Sequence, residues 1–216
     1  MNDLTEQSLE TFLDAVANRA PTPGGGSVTA AAGALAGSLA RMAVAYSVGA
    51  KTPDATRARV ENAAAQLLRV DHLLRALITQ DAEVYATMTA TAKAAKATPS
   101  DSPAQAARDE AVMSAIAVPM EAAALASLAL SVMNDVKEIT NPYLLSDLGV
   151  AAILAEATAR AARTMVLVNA ADVRDATARG KLLTDIDAVV EHCAAHAESI
   201  EAHVNDHLQN RLAACR

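Results

Sequence analysis

From Pro53 to Pro99 the chain offers no glycine and no internal proline. Such a run predicts one uninterrupted helix over residues 53 to 97. At ~1.5 Å per residue it extends on the order of 65 Å. One chain of 216 residues does not cover that length by itself, so a second copy is expected beside it.

The rest of the chain reads the same way. Leu9, Phe12, Leu13 and Val16 mark a first helix that stops before Pro21. Ser27 can cap a second helix running to about Val48, with Gly49 as its stop. Thr52-Pro53 and Ser102-Pro103 read as cap-plus-proline starts. The helix from Ser102 is expected to break or kink near Pro119, with a further helix to about Glu138. Ser146 can cap the next, to about Asn169, and a last amphipathic helix covers about Asp175 to Leu212. Nothing alternates with period two long enough to make a strand. The expectation is all-α: an antiparallel bundle of long helices, dimeric, with residues 1–216 as a single domain.

Hydrophobic residues make up 52% of the chain but aromatics only 2%. The core must therefore come from Ala, Val, Leu, Ile and Met, with closely spaced helix axes. A formal charge of −7 and so few stacking rings argue against nucleic acid as a partner. Cys193 and Cys215 have no metal or redox spacing, which fits a reducing, cytoplasmic setting. The polar, acidic start MNDLTEQSLE does not read as a signal peptide. No unbroken strongly apolar window of membrane length is apparent, so no membrane partner is expected.

Asp81 stands out in the long helix. Both apolar registers through Val60, Leu67 and Leu74 run into it, so it sits mid-face between Ile78 and Tyr85. A carboxylate there is costly unless paired or neutral. It is either a polar anchor fixing helix register or a functional acid or base. Asp71 falls on one register only and is expected at the edge of the face.

The segment "APTPGGGSVTAAAGALAGSLA", residues 20 to 40, places Gly24, Gly25 and Gly26 ahead of Ser27. No Lys-Ser/Thr follows and no strand precedes, so it is neither a P-loop nor a dinucleotide fingerprint. It is either a tight interhelical turn or a place where a ligand approaches backbone N–H groups. Ala30, Gly33, Ala34 and Gly37 let another helix or a flat ligand come close. Lys51, Lys93 and Lys96 lie near helix ends, solvated or available to a carboxylate. His192, His196, His203 and His207 form a helical stripe without a clear third ligand, so no metal is expected. No nucleophile–base set is evident.

These residues together carry a resemblance. "SLETFLDAVANRAPTPGGGSVTAAAGALAGSLARMAV" resembles the N-terminal signature of the cyclodeaminase/cyclohydrolase family of folate enzymes. "QDAEVYATM" is similar to the family's D-x-x-x-[FY] stretch, "AAKAT" to a P-K-N-T segment, and "NPYLLSDLGVAA" to N-x-x-x-x-S-D-x-x-V-A. "VLVNA" resembles a following N-V-x-x-N. Gly49-Ala50-Lys51 keeps one of two family basic residues; Ala95 and Thr140 replace a Pro and a Gly.

The resemblance implies an all-α dimer with folate in a cleft near the subunit contact. It implies Asp81 as the catalytic residue and Gly24, Gly25, Gly26, Ser27, Lys51, Lys96, Asn141, Ser146 and Asp147 as substrate-binding. The substrate would be a reduced folate, with no cofactor besides. Two reactions fit: hydrolysis of 5,10-methenyltetrahydrofolate to 10-formyltetrahydrofolate, or loss of ammonia from a formimino folate to give the methenyl form. The short chain, without an attached formiminotransferase segment, favours the cyclohydrolase. A non-catalytic folate-binding helical dimer is the rival.

Overall fold

The computed structural model describes residues 3–214. Six α-helices follow one another: α1 (Leu9–Ala17), α2 (Gly25–Ala45), α3 (Asp54–Ala97), α4 (Ser102–Val136), α5 (Leu145–Ala170) and α6 (Ala176–Ala214). Short 3-10 turns at Leu4–Glu6, Lys137–Ile139 and Pro142–Leu144 fill the connections. No strand occurs among the described residues.

Cross-helix contacts give the packing directions. Ser27 meets Asp81, Gly33 meets Leu74 and Gly37 meets Asp71, so α2 and α3 run antiparallel. Arg59 reaches the Asp135 carbonyl and Gln105 the Ala95 carbonyl, which sets α4 antiparallel to α3. Gly25 faces Met165 and Gly33 faces Thr158, so α5 opposes α2. These four helices close a ring, and α6 packs along α4 and α5. Leu67, Leu74, Leu77, Ile116, Leu130 and Met133 fill the centre. Between them lie fully buried alanines such as Ala40, Ala123, Ala151 and Ala162. The small side chains allow the close axes that an aromatic-poor core requires.

Several expectations are corrected. Gly24, not Ser27, is the N-cap of α2, and Ser27 lies inside the first turn. Asp101 caps α4 and Pro103 follows within its first turn. Ser146 does not cap α5; Asn141 caps the 3-10 turn ahead of it, its Oδ1 accepting from the Tyr143 N–H, and Ser146 and Asp147 sit in the helix's first turn. Most notably, α4 continues through Pro119 as one helix of 35 residues. The proline costs its Ala115 carbonyl a partner, and the Asn169 side-chain N–H donates to that carbonyl at 3.0 Å instead.

Asp71 is not at an edge. It is buried, and it accepts from Ser38 and Arg41 of α2 and from Arg75 of its own helix. It is thus the polar anchor of the α2–α3 contact. Helices Gly25–Ala45 and Ser102–Ile139 are long and apolar enough to cross a membrane by length and composition, contrary to the expectation; 50% and 61% of those windows are buried against the other helices.

Candidate active site

The N-terminus of α2 lacks a side-chain cap from its own preceding residues. Asp81 supplies one across the bundle. Its Oδ2 accepts from the Ser27 backbone N–H at 2.8 Å and from the Ser27 hydroxyl at 3.0 Å. A carboxylate is favoured at this end of a helix dipole. Gly26 makes the approach possible: a Cβ there would overlap the Asp81 carboxylate. A Cβ on Gly25 would come within 3.0 Å of the Met165 sulfur, and one on Gly24 would meet only an ordinary 3.5 Å contact. None of the glycines has a positive φ. Gly25 and Gly26 therefore serve close approach rather than an unusual turn.

Beside this contact lies a cleft of about 220 Å³. Gly24–Gly26 form one wall, and Asp81, Val84, Tyr85 and Met88 of α3 another. Ala115 of α4 and Met165, Val168 and Asn169 of α5 close it. The α3 wall overhangs the start of α2, because α3 continues some ~24 Å past Asp81 to Ala97. Burial raises the Asp81 carboxyl above its ordinary value of 3.8, and the two Ser27 hydrogen bonds oppose that shift without cancelling it. Oδ2 is occupied by Ser27, while Oδ1 has no hydrogen-bond partner among the described residues. The arrangement is an oriented carboxylate with one free oxygen at an apolar cleft, suited to taking and returning a proton.

The structure brings Gly24, Gly25, Gly26, Ser27 and Asp81 together. It places Lys51, Asn141, Ser146 and Asp147 elsewhere. Asn141 bonds Ser47 and the Tyr46 carbonyl at the far end of α2, and Lys51 follows in the same connection. That end is ~30 Å from the glycines along a 21-residue helix. Lys96 is exposed near the tip of α3, ~22 Å along the helix from Asp81.

His192 and His196 meet edge to face at 4.3 Å, and His192 Nε2 lies 3.2 Å from the Ser131 hydroxyl. Among the described residues no group of three or more His, Cys, Asp or Glu is placed to hold a metal ion. Cys193 is buried, its thiol pushed up to about 11 by desolvation; Cys215 lies outside the described residues. Sequence reasoning assigned no role to Asn169 and Met165 of the cleft. The available signal for Asn169 was the family-like "VLVNA" segment that contains it, while Pro119 announces only the unpartnered Ala115 carbonyl.

A half-buried carboxylate that caps a neighbouring helix and faces a cleft in an all-α bundle defines the class: a helical scaffold with a candidate proton-transfer group. Residues 8–188 match the family described as Formiminotransferase-cyclodeaminase, and the chain belongs to that family of folate one-carbon enzymes. It is 29% identical over 195 residues to the methenyltetrahydrofolate cyclohydrolase of Methylorubrum extorquens, covering 90% of this chain and 94% of that protein. It is also 29% identical to the formimidoyltransferase-cyclodeaminase of Rattus norvegicus, of which it spans only 36%. The crystal structure of formiminotetrahydrofolate cyclodeaminase from Thermotoga maritima superposes with a TM-score of 0.84 at 25% identity, covering 94% of this chain and 98% of that one.

Proposed function

We propose that this protein hydrolyses 5,10-methenyltetrahydrofolate to 10-formyltetrahydrofolate, with Asp81 as the base. The observation that carries the reading is the Asp81 carboxylate, tied through Oδ2 to Ser27 and free through Oδ1 at the cleft. Water adds its oxygen to the cationic carbon between N5 and N10 while Oδ1 takes one of its protons. Asp81 returns that proton to N5 as the C–N5 bond breaks. The remaining hydroxyl proton leaves to solvent as the formyl C=O forms. The carboxylate also offsets the substrate's positive charge before water attacks. No metal or nucleotide enters these steps, and residues 1–216 act as one helical domain.

The near end-to-end match to the Methylorubrum cyclohydrolase supports this reaction. The Thermotoga structure, likewise covered almost end to end and named a cyclodeaminase, supports a second one. There N10 attacks a formimino carbon on N5, Asp81 takes the N10 proton and passes it to the former imine nitrogen, and a second proton from solvent lets that nitrogen leave as ammonia, with the methenyl cation left behind. One assay pair separates them: absorbance decay of methenyltetrahydrofolate above its uncatalysed rate, and ammonia release from formiminotetrahydrofolate. Activity only in the second assay replaces the first reading. Thermal stabilisation by reduced folate with no turnover in either leaves a folate-binding protein.

The second copy belongs to this proposal. Val28, Leu35, Met42 and Tyr46 lie exposed along one side of α2, flanked by the exposed Leu9 and Leu13 of α1. A two-fold across the middle of this stripe covers it isologously. It also carries the Lys51 and Asn141 end of one protomer onto the Asp81 end of the other.

A further inference from the structure

We propose that Asn169 orients the substrate in the Asp81 cleft and that Pro119 orients Asn169; this rests on the folate reading above. The Asn169 amide can donate only through its nitrogen, and the Ala115 carbonyl takes that nitrogen at 3.0 Å. The carbonyl is available because residue 119 has no N–H to return to it. With its nitrogen committed to α4, the amide cannot flip. Its Oδ1 has no hydrogen-bond partner among the described residues, and Asn169 lines the cleft with Asp81. A fixed acceptor and a carboxylate lining one cleft select a ligand that presents N–H groups on one edge and positive charge on another. The pterin ring of a methenyl folate has N–H donors on its pyrimidine side and its cationic carbon beyond the other ring. Asn169 therefore takes an N–H of the pterin and sets the distance from that carbon to Asp81.

A proline inside a helix normally destabilises it, so the buried Pro119, one turn from the cleft-lining Ala115, calls for a compensating role. The alternative is that Asn169 merely satisfies an orphaned carbonyl. A double-mutant cycle separates the two. Asn169→Ala should raise KM for methenyltetrahydrofolate about tenfold, the scale of one lost hydrogen bond, and lower Tm by leaving the Ala115 carbonyl unpaired. Pro119→Ala returns an N–H to that carbonyl, frees the Asn169 amide to rotate, and should raise KM several-fold with Tm unchanged or higher. In the double variant Tm should recover while KM stays at the Asn169→Ala level. Recovery of both Tm and KM in the double variant overturns the proposal and leaves Asn169 as a structural partner. So does an unaltered KM in Asn169→Ala. Hydrogen exchange of the Asn169 side-chain amide, followed by NMR in the ligand-free protein, reads the lock without any substrate. It should be slow in the wild type and fast in Pro119→Ala; equal rates overturn the role given to Pro119. Failure of the folate reading shows instead as absent turnover in the wild type with the exchange difference intact.

Discussion

Asp81 is held by two donors of one residue, and its neighbour Gly26 leaves no room for a Cβ. Gly26→Ala should push the carboxylate off Ser27 and cut turnover by at least ~100-fold, the scale of a displaced general base. The fold should survive, since the obstructed atom belongs to a side chain that can swing toward the cleft. Turnover and Tm measured on one preparation check this, and a fully active Gly26→Ala would remove the reason given for the glycine. Asp81→Asn keeps an acceptor for Ser27 but cannot take a proton, so it should show the same loss.

The pH dependence follows from the raised Asp81 carboxyl. Between its unfolded value near 3.8 and the higher folded value, the native state holds more protons than the unfolded one. Stability contributed by Asp81 is present below that window and is lost as pH rises through it. Asp81→Asn should therefore melt no lower than wild type at neutral pH. In the wild type, kcat/KM should climb as pH rises through a carboxyl group titrating above 3.8, and no such limb should appear in the residual activity of Asp81→Asn. The sequence singled out Asp81 because two apolar registers converge on it. It assigned Asp71 to an edge because periodicity cannot see Arg41 and Arg75 arriving from both sides.

At the scale of elements, helix α2 shows why small residues recur. A Cβ on Gly33 would come within 3.0 Å of Leu74 and Thr158, and Gly37 packs on the Asp71 backbone. The Ala/Gly stripe is a helix-packing device along its middle, and it lines the candidate site at its start, where Gly26 leaves room for the Asp81 carboxylate. Gly33→Val should accordingly cost about 1–3 kcal/mol by overpacking, seen in chemical denaturation. KM should not change in the molecules that remain folded. Helix existence was legible from Gly and Pro punctuation, so the long α3 and its partners stand where the pattern put them. The start of α2 was not, because its cap comes from a residue 54 positions away. Nor was the continuity of α4, since the group that compensates Pro119 sits on another helix. Local signals fail where tertiary partners replace local ones.

At the scale of the whole molecule, the residues that the family pattern gathers lie at two ends of one bundle. Asp81 and the glycines occupy one end of α2, and Lys51 and Asn141 the other. Chain order conceals this, because sequence motifs carry no distances. The two-fold dimer proposed on the exposed α2 stripe would reunite them, and it would give Lys51 the task of meeting the carboxylate tail of the folate. Light scattering at micromolar concentration should give a dimer, and Leu35→Asp in the centre of the stripe should shift it to monomer with loss of activity. Complementation is the sharper measurement. Asp81→Asn lacks the base, and Lys51→Ala should raise KM for a glutamate-bearing folate. If each site draws Asp81 from one protomer and Lys51 from the other, a hybrid of the two variants contains one fully intact site and one doubly damaged site. Mixing the two after reversible unfolding should then restore turnover at low substrate, up to about a quarter of wild type for a statistical mixture. Sites built within single protomers cannot complement, so activity no greater than the mean of the two parents would place Lys51 outside the site.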